Sequence, residues 1–250
     1  MIERKLFIPL PLGTMTQPTK KSAFERIFEQ GSNLASRTWG NILRFKNQND
    51  SPDPMVDWKE YASRTRNSLK SQNLLQAKQE IQYALEIYPN HLNLLIVAND
   101  VYRASDEREK SLEYSELLIT HHPDQWQGYG RAAQDLVALT KVISSRFYDI
   151  SESQLKIQAG LEKIPNQVNL LTIATNVYRA SGDHEKSLEY AELLITHHPD
   201  NWNGYGRAAQ DLFALKRFEE AQEKIQAGLE KIPNQVNLLK ISEKILSQIN

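Results

Sequence analysis

The sequence predicts an all-α fold, a solenoid of five helix–turn–helix units followed by a C-terminal capping helix. Three observations carry this prediction. The fifteen residues IQAGLEKIPNQVNLL at 157–171 recur unchanged at 225–239, and a looser copy, IQYALEIYPNHLNLL, stands at 81–95. The segment HHPDQWQGYGRAAQDLVAL at 121–139 returns as HHPDNWNGYGRAAQDLFAL at 197–215. Finally, the prolines keep a beat: Pro89 to Pro123, Pro165 to Pro199 and Pro199 to Pro233 are equal steps, and the step from Pro123 to Pro165 is longer by eight. The equal step is a repeat of about 34 residues, the mark of an architecture in which no unit can bury its apolar face alone and neighbours must stack.

In chain order, residues 1–21 carry Pro and Lys without periodicity and are expected to form a flexible tail. The apolar run Leu6 to Leu12 is interrupted by Pro9 and Pro11 and preceded by Glu3, which makes a poor signal peptide and is far too short for a membrane span. Residues 22–57 are expected to form an amphipathic helix and a linker. Ser22 followed by Glu25 is a capping box, and Phe24, Ile27, Phe28, Leu34, Ala35, Trp39, Ile42 and Phe45 fall within an arc of about 140°. Such a helix caps the first unit, docks a partner or lies on a membrane surface, and residues 1–49 carry eight basic against three acidic side chains. Capping is the favoured reading, and a membrane surface met through residues 22–46 is the less favoured one.

The units follow at 58–91, 92–125, 126–167, 168–201 and 202–235, and 236–250 reads as the cap. With the proline counted as position 32, the last unit places Tyr205, Ala208, Ala209, Leu212, Ala221, Ile225, Gly228 and Pro233 at positions 4, 7, 8, 11, 20, 24, 27 and 32. Small residues let the two helices of a hairpin approach, large apolar ones fill the space between neighbours, and the proline stops the second helix. Asn99 and Thr175 depart from this at position 8, where they either splay the hairpin or hydrogen-bond within it. The eight extra residues of the third unit lie between Leu139 and Ile157 and are worth about two helical turns, which could be shared one to each helix. Phe147 and Tyr148 would then stand near the hairpin tip.

Composition narrows the chemistry. The chain of 250 residues has no Cys, which removes disulfides, a thiol nucleophile and cysteine-ligated metal centres. Thirty Lys and Arg against 31 Asp and Glu argue against a dedicated nucleic-acid binder. No nucleophile elbow, HExxH pair, Walker loop or dinucleotide glycine fingerprint occurs, so no catalytic residue and no cofactor are expected. The pairs His121–His122 and His197–His198 invite a metal reading, but they sit before the helix-stopping proline, where a cation suits the helix C-terminus. No metal site is expected there. The absence of cysteine makes a cytoplasmic location the default expectation.

The period and the residues just given resemble the tetratricopeptide-repeat family over residues 58–235. The resemblance implies a right-handed superhelix whose concave face is lined by the first helix of each hairpin, chiefly at positions 2, 5, 9 and 12. Position 2 holds Lys59, Asn93, Gln127, Asn169 and Asn203, and position 9 holds Arg66, Asp100, Gln134, Asn176 and Gln210. Arg103 and Arg179 stand at position 12, Arg207 at position 6, and Ala62, Gly130 and Gly206 at position 5, where small residues would deepen the groove. A row of amides offers donors and acceptors at regular spacing, suited to the backbone of an extended peptide. It is similar to the asparagine ladder in the repeat superhelix of protein O-linked N-acetylglucosaminyl transferases. The carboxylate clamp of chaperone-binding members is not matched, because Thr172 stands where a basic residue is required. The resulting expectation is a non-enzymatic scaffold that holds a protein or peptide partner in the concave groove. The alternatives are an accessory array of a bacterial sulfotransferase or glycosyltransferase system, and an assembly factor tethered by the N-terminal helix.

Overall fold

The computed structural model describes residues 56–142 and 149–249. The tail at 1–21, the amphipathic helix at 22–46, most of the linker, and Phe147 and Tyr148 lie outside the described residues. Within them the chain is helical throughout, and no helix is long and apolar enough to cross a membrane.

Five antiparallel hairpins stack in chain order. They are α1 (Trp58–Lys70) with α2 (Leu74–Ile87), α3 (Leu92–Ala104) with α4 (Arg108–His121), α5 (Trp126–Val142) with α6 (Ile150–Lys163), α7 (Val168–Ala180) with α8 (His184–His197), and α9 (Trp202–Ala214) with α10 (Phe218–Lys231). A single helix, α11 (Val236–Ile249), closes the stack. Local chemistry sets the boundaries. Every second helix stops two residues before its proline, with Tyr88, His122, Ile164, His198 or Ile232 as the C-cap. Asp57, Asn73, Asp149, Asp183 and Asn201 accept backbone N–H bonds at the start of their helices.

The insertion is distributed differently from the even split the sequence suggested. Helix α5 has 17 residues where the other first helices have 13, one extra turn, while α6 keeps the 14 residues of the other second helices. The added turn places Leu139, 4% exposed, in an apolar cluster with Leu112, Ala132 and Leu136.

Two kinds of junction alternate along the stack. Where an odd hairpin meets an even one, first helix packs on first helix, α1 on α3 and α5 on α7, and α9 packs in the same way on α11. The three large apolar clusters centre there, around Ile81 and Leu94, Ile157 and Leu170, and Ile225 and Leu238. Asn90, Asn166 and Asn234 turn the chain at these junctions with φ of 64°, 59° and 61°, a left-handed conformation that asparagine tolerates. Where an even hairpin meets an odd one, the second helix packs extensively on the next first helix, α4 on α5 and α8 on α9, and the first helices stand farther apart. Glycines make this approach possible. A Cβ on Gly128 would come 2.9 Å from both Cγ1 and the backbone nitrogen of Ile119, and one on Gly204 would meet Ile195 at 2.9 and 3.1 Å. First helices pack closely at every second junction, whereas second helices meet through long side chains such as Lys156–Glu116 and Lys224–Glu192, so the first helices lie toward the inner side of the curve.

Candidate functional site

The inner side carries the side chains selected from the sequence, and their surroundings divide them into two rows. At position 2, Lys59 and Asn169 are exposed and Asn93, Gln127 and Asn203 are half-buried. None of these five hydrogen-bonds through its side chain to another helix among the described residues. Asn203 donates only to Asn201 at its own helix start, 3.1 Å away, and the Oε1 of Gln127 is buried without a partner. Arg66, on α1, is exposed.

The remaining candidates bind one another across the open junctions. Arg103 donates from Nη2 to Gln134 Oε1 at 2.9 Å, and Arg179 from Nη1 to Gln210 Oε1 at 2.7 Å. Arg207 donates to Asn176, and Arg131 to both Asn99 (2.6 Å) and Asp100. These bonds span the gap between first helices that the glycine-tight packing of second on first helix leaves open.

Behind this row lies a feature that the positional reading missed, a pair of fully buried aspartates at position 10. Asp135 receives Arg103 Nε at 2.8 Å, Arg108 Nη1 at 3.3 Å and Ser111 Oγ at 2.6 Å. Its copy Asp211 receives Arg179 Nε at 3.1 Å and Ser187 Oγ at 2.5 Å, and His184 Nδ1 lies 3.0 Å away. Both aspartates have no exposed surface, so their charges require this coordination. A signal for them was present in the sequence, since position 10 is Val101 and Val177 in the even hairpins and both aspartates sit inside an otherwise apolar stripe.

Asn99 and Thr175 do not splay their hairpins. Asn99 is completely buried and donates to Ser111 Oγ (2.7 Å) and Ser115 Oγ (2.8 Å), while Thr175 donates to the Thr172 carbonyl at 2.8 Å and its own carbonyl accepts from Ser187. The glycines at position 5 do not deepen a groove. Gly130 and Gly206 are buried, and a Cβ there would meet Ile173 Cδ1 at 2.7 Å or Ile241 Cδ1 at 2.9 Å, so the next first helix fills the space. Each second histidine of the HHPD segments is fastened to the preceding hairpin, with Nε2 of His122 and His198 2.6 Å from the carbonyls of Asn90 and Asn166. Stacked tyrosine pairs, Tyr102–Tyr114 and Tyr178–Tyr190, tie the helices of the even hairpins at ring separations of 5.3 Å. Burial and the neighbouring tyrosine raise the pKa of Tyr114 and Tyr190 above the ordinary phenol value.

No protein-family model and no curated protein sequence matches the chain. Solved structures do. A thermophilic TPR protein of Thermus thermophilus superposes with a TM-score of 0.59 at 16% identity, covering 76% of this chain and 100% of that one. PilF of Pseudomonas aeruginosa gives 0.59 at 13% identity, covering 77% and 84%. YrrB, described as a TPR protein with an unusual peptide-binding site, gives 0.54 at 13% identity, covering 78% and 95%. With its helical hairpins stacked at a regular period and these structures superposing on most of its length, the chain has the tetratricopeptide-repeat fold.

Proposed function

We propose that this chain is a non-enzymatic protein-interaction scaffold that holds an extended peptide or partner segment on its inner face. The observation that carries the reading is the row of polar side chains at position 2, Asn93, Gln127, Asn169 and Asn203, none of which bonds to another helix among the described residues, presented at one point of successive first helices. An extended backbone offers alternating N–H and C=O groups, and a primary amide serves either. The unpartnered Oε1 of Gln127 is an acceptor for such an N–H. The cross-linked row of Arg103, Gln134, Asn176, Arg179, Arg207 and Gln210 then forms the floor, holding the first helices at a fixed spacing so that little conformational entropy is lost on binding. The described peptide-binding site of YrrB, a protein of the same fold, supports a peptide as the ligand class.

The test is the triple substitution Asn169→Ala, Asn176→Ala, Asn203→Ala, with affinity capture from a lysate and mass spectrometry set against the intact chain. Loss of captured partners with an unchanged melting temperature is expected, because none of the three amides lies in the core. Retention of the same partners at the same yield sinks the proposal.

A further inference from the structure

The two ends of the stack present different surfaces. At the N-terminal end, α1 carries Glu60, Arg64, Asn67 and Ser71 at positions 3, 7, 10 and 14, all polar and exposed. Their copies on α5 are Gly128, Ala132, Asp135 and Leu139, all buried where the preceding second helix packs. Leu75 is the one large apolar side chain exposed on this first hairpin. An incoming apolar helix therefore finds little to bury there.

At the other end, α11 repeats α3 and α7, but no second helix covers it among the described residues. Leu95 and Leu171 are 1% exposed, whereas their copy Leu239 is 41% exposed. Tyr102 and Tyr178 are buried, and Leu246 in their place is 45% exposed. In the even hairpins Tyr114 of α4 and Tyr190 of α8 pack against the clusters that hold Ile81 and Ile157, while the cluster around their copy Ile225 receives no such side chain. What remains is a groove between α10 and α11, with Leu229, Ile245 and Leu246 in its walls, Glu223 and Glu230 on its α10 side, and no Lys or Arg in its lining. Glu243, where Asn99 and Thr175 are buried in the copies, is exposed on α11.

The occupant this groove calls for is a helix with an apolar face, aromatic side chains to stand in for Tyr114 and Tyr190, and positive charge toward the glutamates. Residues 22–46 match all three in sequence: Phe24, Phe28 and Trp39 lie in the apolar arc, and residues 1–49 carry eight basic against three acidic side chains. We propose that the groove of α10 and α11 receives residues 22–46 of a second copy of this chain, joining copies head to tail. The same copy cannot supply them, because the ten residues from Lys46 to Val56 span at most about 35 Å and five helix-packing steps of 8–10 Å put α11 about 45 Å from α1. Pairing of α11 with a second α11 is disfavoured, since it brings Glu223, Glu230 and Glu243 against their own copies. Each copy has one arm and one groove, so the contact is heterologous and builds rings or open chains. It does not involve the inner face and stands or falls apart from the peptide-binding reading.

Sedimentation velocity of the intact chain at low ionic strength tests this, with the mass expected to rise past that of a dimer as the concentration increases. Leu246→Glu spoils the groove, and Phe28→Glu with Trp39→Glu spoils the arm; each should raise the dissociation constant at least about tenfold while circular dichroism shows an unchanged helical melt. Mixing the two variants is the decisive arm. The first keeps its arm and the second its groove, so together they should form a one-to-one dimer and nothing larger. Glu223→Lys with Glu230→Lys should weaken association about tenfold, an effect that shrinks as salt is added. An intact chain that stays monomeric at every concentration overturns the proposal. So does undiminished association of the arm variant, which would mean α11 paired with α11, or a mixture that yields no dimer.

Discussion

The junction of α4 with α5 and the junction of α8 with α9 are built from nearly the same sequence two hairpins apart, and they hold the same backbone geometry with different charges. Gly128 and Gly204 allow the same approach, Ser111 and Ser187 cap the same buried aspartate, and the same arginine–glutamine bond crosses the gap. What differs is chiefly the rim, where Arg108 becomes His184, Asp106 becomes Gly182 and Asp100 becomes Asn176, while inside the cluster the buried Asn99 becomes Thr175 and Ser115 becomes Ala191. The buried aspartate, its serine and its arginine are common to both clusters and maintain the junction, and the changes at the rim alter the charge that the junction presents. In a stack where each hairpin touches only its neighbours, such changes stay local.

Removing the shared aspartate should break the comparison most strongly. Asp135→Ala removes the buried partner shared by Arg103 and Arg108 and is expected to cost about 3–5 kcal/mol of unfolding free energy, the range for one partner lost from a buried ion pair. Asp211→Ala should cost less, because His184 has a neutral form and Arg108 does not. Urea denaturation of the two variants compares them directly, and equal losses would mean that the rim cation does not matter.

The glycines come next. Gly128→Ala and Gly204→Ala each push a methyl against the backbone of the preceding second helix and should each cost about 1–3 kcal/mol, by nearly the same amount if the two junctions share one geometry; thermal unfolding of the pair reads the difference. A smaller change is expected from His184→Arg, which rebuilds the first cluster's cation in the second and should stabilise by less than about 1 kcal/mol at neutral pH, since the group is partly solvated.

The smallest effect separates the tyrosine stacks. A phenol whose pKa is raised in the folded chain contributes stability that is intact below the unfolded value of about 10 and is lost as the pH climbs through the folded value. Tyr114→Phe and Tyr190→Phe should therefore flatten the alkaline limb of a pH-melting curve and leave the neutral region unaltered.

Much of this fold was legible because the relevant signals are local. The proline beat marked where each second helix stops, and the small residues at Ala77, Ala133 and Gly160 marked where helices meet, because backbone hydrogen bonding and side-chain volume act within a few residues. The inner-face candidates were legible as positions but not as partners. Arg103 and Arg179 looked like groove side chains, yet each reaches into the next hairpin to a glutamine and an aspartate. Gly130 and Gly206 looked like hollows, yet an isoleucine from the next unit fills each one.

The sequence by itself determined the class of fold and the stopping points of the second helices, consequences of periodicity and of what proline permits. Only the tertiary structure decided that the junctions alternate, that one row of first-helix polar groups bonds across the junctions while another reaches no other helix among the described residues, and that among those residues Arg207 has no carboxylate where its copy Arg131 has Asp100. The physical reason is that an ion pair or a filled cavity depends on which units come within a few ångströms of one another, and a repeat pattern gives each side chain's place in its own unit without stating what the next unit brings to it.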